Sequence, residues 1–120
     1  MGLLEILIKV RELLSNKDHW TKGYYARNVR NDMIDPQDPA ACTFCMYGAI
    51  YKVCPDIPFS AVGFKDPIIM QAHDEITRAI VELYPAFKDE PEARFNDNSN
   101  TTHEDVLKVL DRAIELNKGE

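Results

Sequence analysis

No stretch of this chain approaches the roughly 20 apolar residues that a membrane-spanning helix needs. The N-terminal MGLLEILIKV is interrupted by Glu5 and Lys9 and has no small-residue cleavage site behind it, so no secretory leader is expected. Gly2 is followed by Leu-Leu-Glu-Ile rather than by the serine or threonine pattern that directs myristoylation. Basic residues are in the minority. Against 20 Asp and Glu stand 14 Lys and Arg, a formal net charge of -6, which excludes a nucleic-acid surface built on bulk attraction. Lys22, Arg27 and Arg30 form a local basic cluster, read here as a solvated face.

Cysteine is scarce and odd in number, with Cys42, Cys45 and Cys54 alone. A disulfide framework is therefore not expected, and the chain reads as cytoplasmic. His19, His73 and His103 stand singly, without the paired spacing that marks zinc sites, so no metal and no cofactor is expected. The chain is one domain long, residues 1–120, enough to bury a core without covalent staples.

What the sequence does have is helical periodicity. Leu3, Leu4, Ile6, Leu7, Val10, Leu13 and Leu14 recur at helical spacing, with Glu5, Lys9, Arg11 and Glu12 on the other side. Asp38-Pro39 has the form of an N-cap followed by proline at the first helical position, which predicts a second helix from there to about Val53, stopped by Cys54-Pro55. Within it the run Ala40–Tyr51 carries no charge, so this helix is expected at the centre, covered on every side.

Asp66-Pro67 repeats the signal, and Ile68, Ile69, Ala72, Ile76, Ala79, Ile80 and Leu83 line a third helix ending before Pro85. Thr102 and Asp105 have capping-box spacing, with aspartate in place of the usual glutamate. They open a last helix whose Val106, Leu107, Val109, Leu110, Ala113, Ile114 and Leu116 face inward. Asn16-Lys17-Asp18 is expected to end the first helix, residues 19–39 to form an ordered loop with a short extended piece near Tyr24–Val29, and residues 85–101 to be loop. Ile57, Phe59, Val62 and Phe64 are expected to plug the core from a further loop. The fold class that follows is all-α, a small bundle of about four helices around a central apolar one.

Several groups carry potential chemistry. A helical Cys42-Thr-Phe-Cys45 would place both sulfurs on adjacent turns, yet two further zinc ligands are missing, and free cysteine packs as a small hydrophobe. A cysteine nucleophile, Cys45 or Cys42, would need a histidine as base and an orienting group such as Asn96 or Asp97. Phe95–Asn100 imitates a calcium loop but lacks its glycine and its terminal glutamate, so Asn and Asp are read as turn formers. Trp20, Tyr24 and Tyr25 beside Lys22 and Arg27 could stack on a ligand and pair with an anion, or pin the loop to the bundle. Met70, Val81 and Tyr84 give the third helix a second apolar side, which suits deep burial or a homodimer contact.

Taken in order, His19-Trp20-Thr21-Lys22-Gly23, Ala26-Arg27, Cys45-Met-Tyr-Gly48-Ala49-Ile50, Phe95-Asn96-Asp97 and Asp105-Val106-Leu107 form a recognisable pattern. It resembles a small domain family of unknown function found in bacteria and their phages, over about residues 3–117, with residues 52–94 lacking a matching signature. Tryptophan is often found in that family where this chain has Phe95. The resemblance implies no activity, substrate or cofactor. It does single out Trp20, Arg27, Cys45, Gly48, Asn96, Asp97 and one of Thr101 or Thr102.

Gly48 inside a helix costs about 1 kcal/mol relative to alanine, so another element should approach it closely. Arg27, Asn96 and Asp97 could meet near Trp20 as a buried polar network or as a small pocket. The leading expectation is a non-enzymatic helical domain that binds a small molecule or a protein partner, in a setting such as phage–host interaction. Its expected pocket is Trp20, Tyr24, Arg27, Asn96 and Asp97. The competing expectations are a cysteine-dependent hydrolase or transferase and a homo-oligomeric structural module.

Overall fold

The computed structural model describes residues 1–60, 66–89 and 91–118. Among these described residues, five helices and a two-stranded ribbon follow one another: α1 (Leu3–Leu14), β1 (Ala26–Arg27), β2 (Thr43–Phe44), α2 (Met46–Val53), α3 (Pro67–Leu83), α4 (Pro91–Asp97) and α5 (His103–Lys118). Single 3-10 turns at Lys17–His19 and Pro85–Phe87 join some of them. The result is a small helical domain, as the periodicity predicts.

Burial explains the arrangement. The inner stripe of α1, Ile6, Leu7, Val10 and Leu14, packs on α5 and α2. That of α3, Ile69, Ala72, Ile76, Ala79 and Ile80, meets α5, whose Val106, Val109, Leu110 and Ala113 complete the core. Every residue of α2 from Met46 to Tyr51 is buried, so the uncharged run does supply the central helix. Each apolar side chain withdrawn this way contributes about 1.5–3 kcal/mol before entropy is counted.

Helix ends are held by side chains. Asp66 Oδ1 accepts from Ile68 N at 3.0 Å, and Thr102 and Asp105 form the expected reciprocal box, at 3.2 Å and 2.9 Å. Tyr84 donates its hydroxyl to Asp105 Oδ1 at 3.0 Å. The Thr102 amide and that hydroxyl hold the Asp105 carboxyl below the usual range. The last carbonyls of α1 are met by two imidazoles: His19 Nδ1 lies 3.0 Å from Leu13 O, and His103 Nε2 lies 2.6 Å from Leu14 O. A carbonyl only accepts, so each of those ring nitrogens carries its proton. Gln37 does the same for the end of α2, donating toward Tyr51 O, Cys54 O and Ile57 O.

Several expectations are corrected. The second helix does not begin at Asp38-Pro39. Asp38 Oδ1 accepts from Ala40 N at 2.8 Å, but the turn it closes stops there. Thr43–Phe44 instead pairs antiparallel with Ala26–Arg27, in the register Ala26↔Phe44 and Arg27↔Thr43. An N-cap and an isolated Asx turn look alike for three residues, and pairing with a distant segment decided between them. The Cys42 and Cys45 sulfurs therefore do not share a helix face. Cys42 precedes β2, and Cys45 is the N-cap of α2, its Sγ accepting from Gly48 N at 3.3 Å.

Residues 85–101 are not all loop, because α4 lies within them, opening on Pro91 at a first helical position. At 98–101 the chain does turn as expected, with Asn98 Oδ1 accepting from Asn100 N. Leu83 is exposed rather than inward, and Met70 is exposed as well. Tyr84, by contrast, lies against Phe95, with ring centroids 5.2 Å apart. Ile57 and Phe59 are half-buried against the core, while Val62 and Phe64 lie outside the described residues.

Candidate functional site

Three of the five residues expected to form a pocket meet at one point. Trp20 donates its indole Nε1–H to Asn96 Oδ1 at 2.9 Å. The same oxygen accepts from Met46 N, the first amide of α2, at 3.3 Å. Asn96 Nδ2 donates to Thr21 O at 3.1 Å and to Asp97 Oδ1 at 3.0 Å, and that carboxylate oxygen accepts from Gly23 N at 2.8 Å. The Asn96 amide is buried and its donor and acceptor capacity is fully used. Lys22 crosses the same gap, lying 5.3 Å from the Trp20 ring centroid and donating to Asn98 O at 2.5 Å and Thr101 O at 2.9 Å. The arrangement is a clasp between residues 20–23 and 96–101.

Arg27 reaches this clasp at the Lys22 carbonyl, donating from Nη2 at 3.3 Å, while Nη1 donates to Asn31 O at 3.1 Å. Tyr24 does not join it. Its ring stands edge-on to Tyr25, with centroids 5.6 Å apart. Gly23 adopts φ +87°, a left-handed conformation costly for other residues, which lets its amide point at Asp97.

Gly48 lies where another element approaches α2 closely, as expected. A Cβ there would overlap the carbonyl oxygen of Tyr25 and stand 2.7 Å from its carbon. The same Tyr25 oxygen accepts from Cys45 N at 3.2 Å, so backbone rests on backbone where α2 meets the ribbon. Cys45 and Cys54 are buried. Burial pushes the Cys45 thiol up to about 11, and it raises Cys54 too, with Asp66 adding to the effect. Neither is a ready nucleophile. Cys42 is different: it is partly exposed, and its thiol donates toward Arg27 O at 3.6 Å.

Cys42 opens onto a cleft of about 290 Å³ that the sequence does not announce. Leu13, Ala41 and Phe44 provide its apolar lining, and Asp18, His19, Cys42 and Lys52 its polar groups. His19 and Phe44 line the cleft, while their chain neighbours Trp20 and Cys45 are engaged in the clasp and in the cap of α2. Thr21 N donates to Phe44 O at 3.0 Å, tying the two walls together. The lining comes from α1, the following 3-10 turn, the approach to β2, and α2, so no local spacing reveals it. Only the mixture of His19 and Cys42 among expected thiol and base candidates gave a hint.

Among the described residues, no group of three or more His, Cys, Asp or Glu side chains could hold a metal ion, and no helix is long and apolar enough to cross a membrane. No curated protein and no solved structure matches the chain. A family model does match, over residues 2–116, a span that includes the clasp, the Gly48 contact and the whole cleft. On that match the chain belongs to the family described as "Family of unknown function (DUF6197)".

Proposed function

We propose that the chain is a non-enzymatic binding domain, and that the cleft beside the clasp is where it takes a small molecule or a side chain of a protein partner. The observation that carries this reading is the cleft's make-up: an apolar lining with a few polar groups of both charge signs at its edge. That is the usual composition of a ligand site, and about 290 Å³ lies at the small end of the range for one. In this reading Trp20, Asn96 and Asp97 act from behind. They fix residues 19–23, and with them the His19 wall, rather than touching the ligand. Tyr24, stacked edge-on to Tyr25, takes no part, and Arg27 contributes through its carbonyl, which accepts from Cys42 N at 2.9 Å.

The test is a ligand-observed NMR screen of a small-metabolite panel against the native protein and an Ala41→Met variant. Ala41 lines the cleft and is 8% exposed, so a methionine there fills it. Binders are expected with the native chain and lost with the variant. A panel without binders, or binders indifferent to the variant, would overturn the reading.

One observation favours a second reading. Cys42 and His19 line the same cleft, and His19 Nδ1 is fixed by Leu13 O, which leaves Nε2 with its lone pair. A cysteine hydrolase or transferase would use Cys42 as nucleophile and His19 as base. The hydrogen bond from the Cys42 thiol to Arg27 O weighs against it, because it directs the thiol proton to a backbone carbonyl rather than to an imidazole. Alkylation at neutral pH separates the two. Binding predicts that Cys42 labels no faster than a free thiol in solution, and that Cys45 and Cys54 label only on unfolding. Labelling of Cys42 much faster than a free thiol would favour the enzyme.

A further inference from the structure

We infer that the cleft takes a free α-amino acid with an aliphatic side chain, its carboxylate toward Lys52, its ammonium toward Asp18, and its side chain against Leu13, Ala41 and Phe44. This rests on the reading of the cleft as a binding site and adds the class of ligand. Size comes first. At about 290 Å³ the cleft has room for a molecule of amino-acid size.

Charge narrows it further. Lys52 Nζ lies 5.9 Å from the Phe44 ring centroid and makes no ion pair among the described residues. Asp18 also makes none among them, and its backbone amide donates to Asn16 Oδ1 at 2.9 Å. A simple anion would gain from Lys52 and be repelled by Asp18. A simple cation would meet the reverse. A zwitterion satisfies both, and rejection of the singly charged molecules is then built into the site. The neutral lining and the soft, polarizable Cys42 thiol suit a branched aliphatic or thioether side chain.

Both charges stand at a solvated rim, where each contributes little, so affinity is expected to be weak, on the order of 1 mM. The experiment is a titration of the 15N-labelled full chain with leucine, with 4-methylpentanoate (leucine without its ammonium) and with 3-methylbutylamine (leucine without its carboxylate). Leucine should give saturable amide shifts at Leu13, Cys42 and Phe44, with each analogue binding roughly fivefold more weakly. Lys52→Met should weaken leucine and the acid but not the amine, and Asp18→Asn should weaken leucine and the amine but not the acid. Both substitutions are at the rim, and unchanged shifts elsewhere show that each variant is folded.

Analogues that bind as well as leucine would overturn the zwitterion assignment. So would a leucine titration without saturable shifts. If leucine fails while the panel yields binders lost in Ala41→Met, the amino-acid class falls and the cleft reading survives. If both fail, both fall.

Discussion

Gly48→Ala is expected to lower stability by at least about 3 kcal/mol, although alanine is the better helix former. Two effects oppose each other. Replacing a glycine in the first turn of a helix gains at most about 1 kcal/mol of helix propensity. The added methyl, however, would occupy the position of the Tyr25 carbonyl. The neighbour is backbone, which cannot swing aside as a side chain can, and overpacking a tight contact costs 1–3 kcal/mol even where side chains can adjust. Relief requires that Tyr25 retreat, breaking its hydrogen bond from Cys45 N and straining the Ala26↔Phe44 pair behind it. Urea denaturation of the two proteins measures the difference. A Gly48→Ala protein as stable as the native one would refute the close approach.

Removing the Asn96 side chain should have a comparable effect, through polarity rather than volume. Asn96→Ala strands the Trp20 indole N–H, the Met46 amide and the Thr21 carbonyl around a small void. A buried polar group left without a partner costs about 1–3 kcal/mol. Partial solvation of the half-buried Trp20 reduces the sum, so a loss of about 3–4 kcal/mol is expected. Trp20→Phe alone should cost less, since it removes one donor and keeps the ring. In the double variant the two losses should fall short of additivity, because they share one hydrogen bond. Strict additivity in a denaturation cycle would mean that the indole and the amide act independently.

Much of this fold could be read in advance, because long helices advertise themselves. The stripes of α1, α3 and α5 repeat often enough that no competing pattern fits, and the Asp66 and Thr102–Asp105 caps are local chemistry. The start of α2 differs from its local signal for the opposite reason. Asp38-Pro39 satisfies every local requirement of a helix start, and the partner that draws residues 43–44 into a ribbon lies at residues 26–27. The α4 segment is seven residues long and mixes charge with few apolar positions, so it offers no period to detect.

The site divides along the same line. Trp20, Asn96, Asp97 and Gly48 could be marked because the family resemblance singles them out, and Trp20 also because it is the lone tryptophan, set beside basic residues. That Asn96 would accept from Trp20 and from an α2 amide is a matter of three-dimensional closure, which no spacing encodes. Lys52 and Asp18 gave no signal at all, since isolated charged residues are what surfaces are made of.

The clasp joins positions 76 residues apart along the chain. Entropy opposes closing so large a loop only logarithmically more than a short one, but the contact has to wait until both ends are in place. During synthesis, residues 13–52 leave the ribosome well before Asn96 and Thr101. The cleft walls are thus made early and positioned late. A chain cut short before α4 would hold every residue of the cleft and still lack the bolt that sets its shape, so the proposed binding would be reserved for finished molecules.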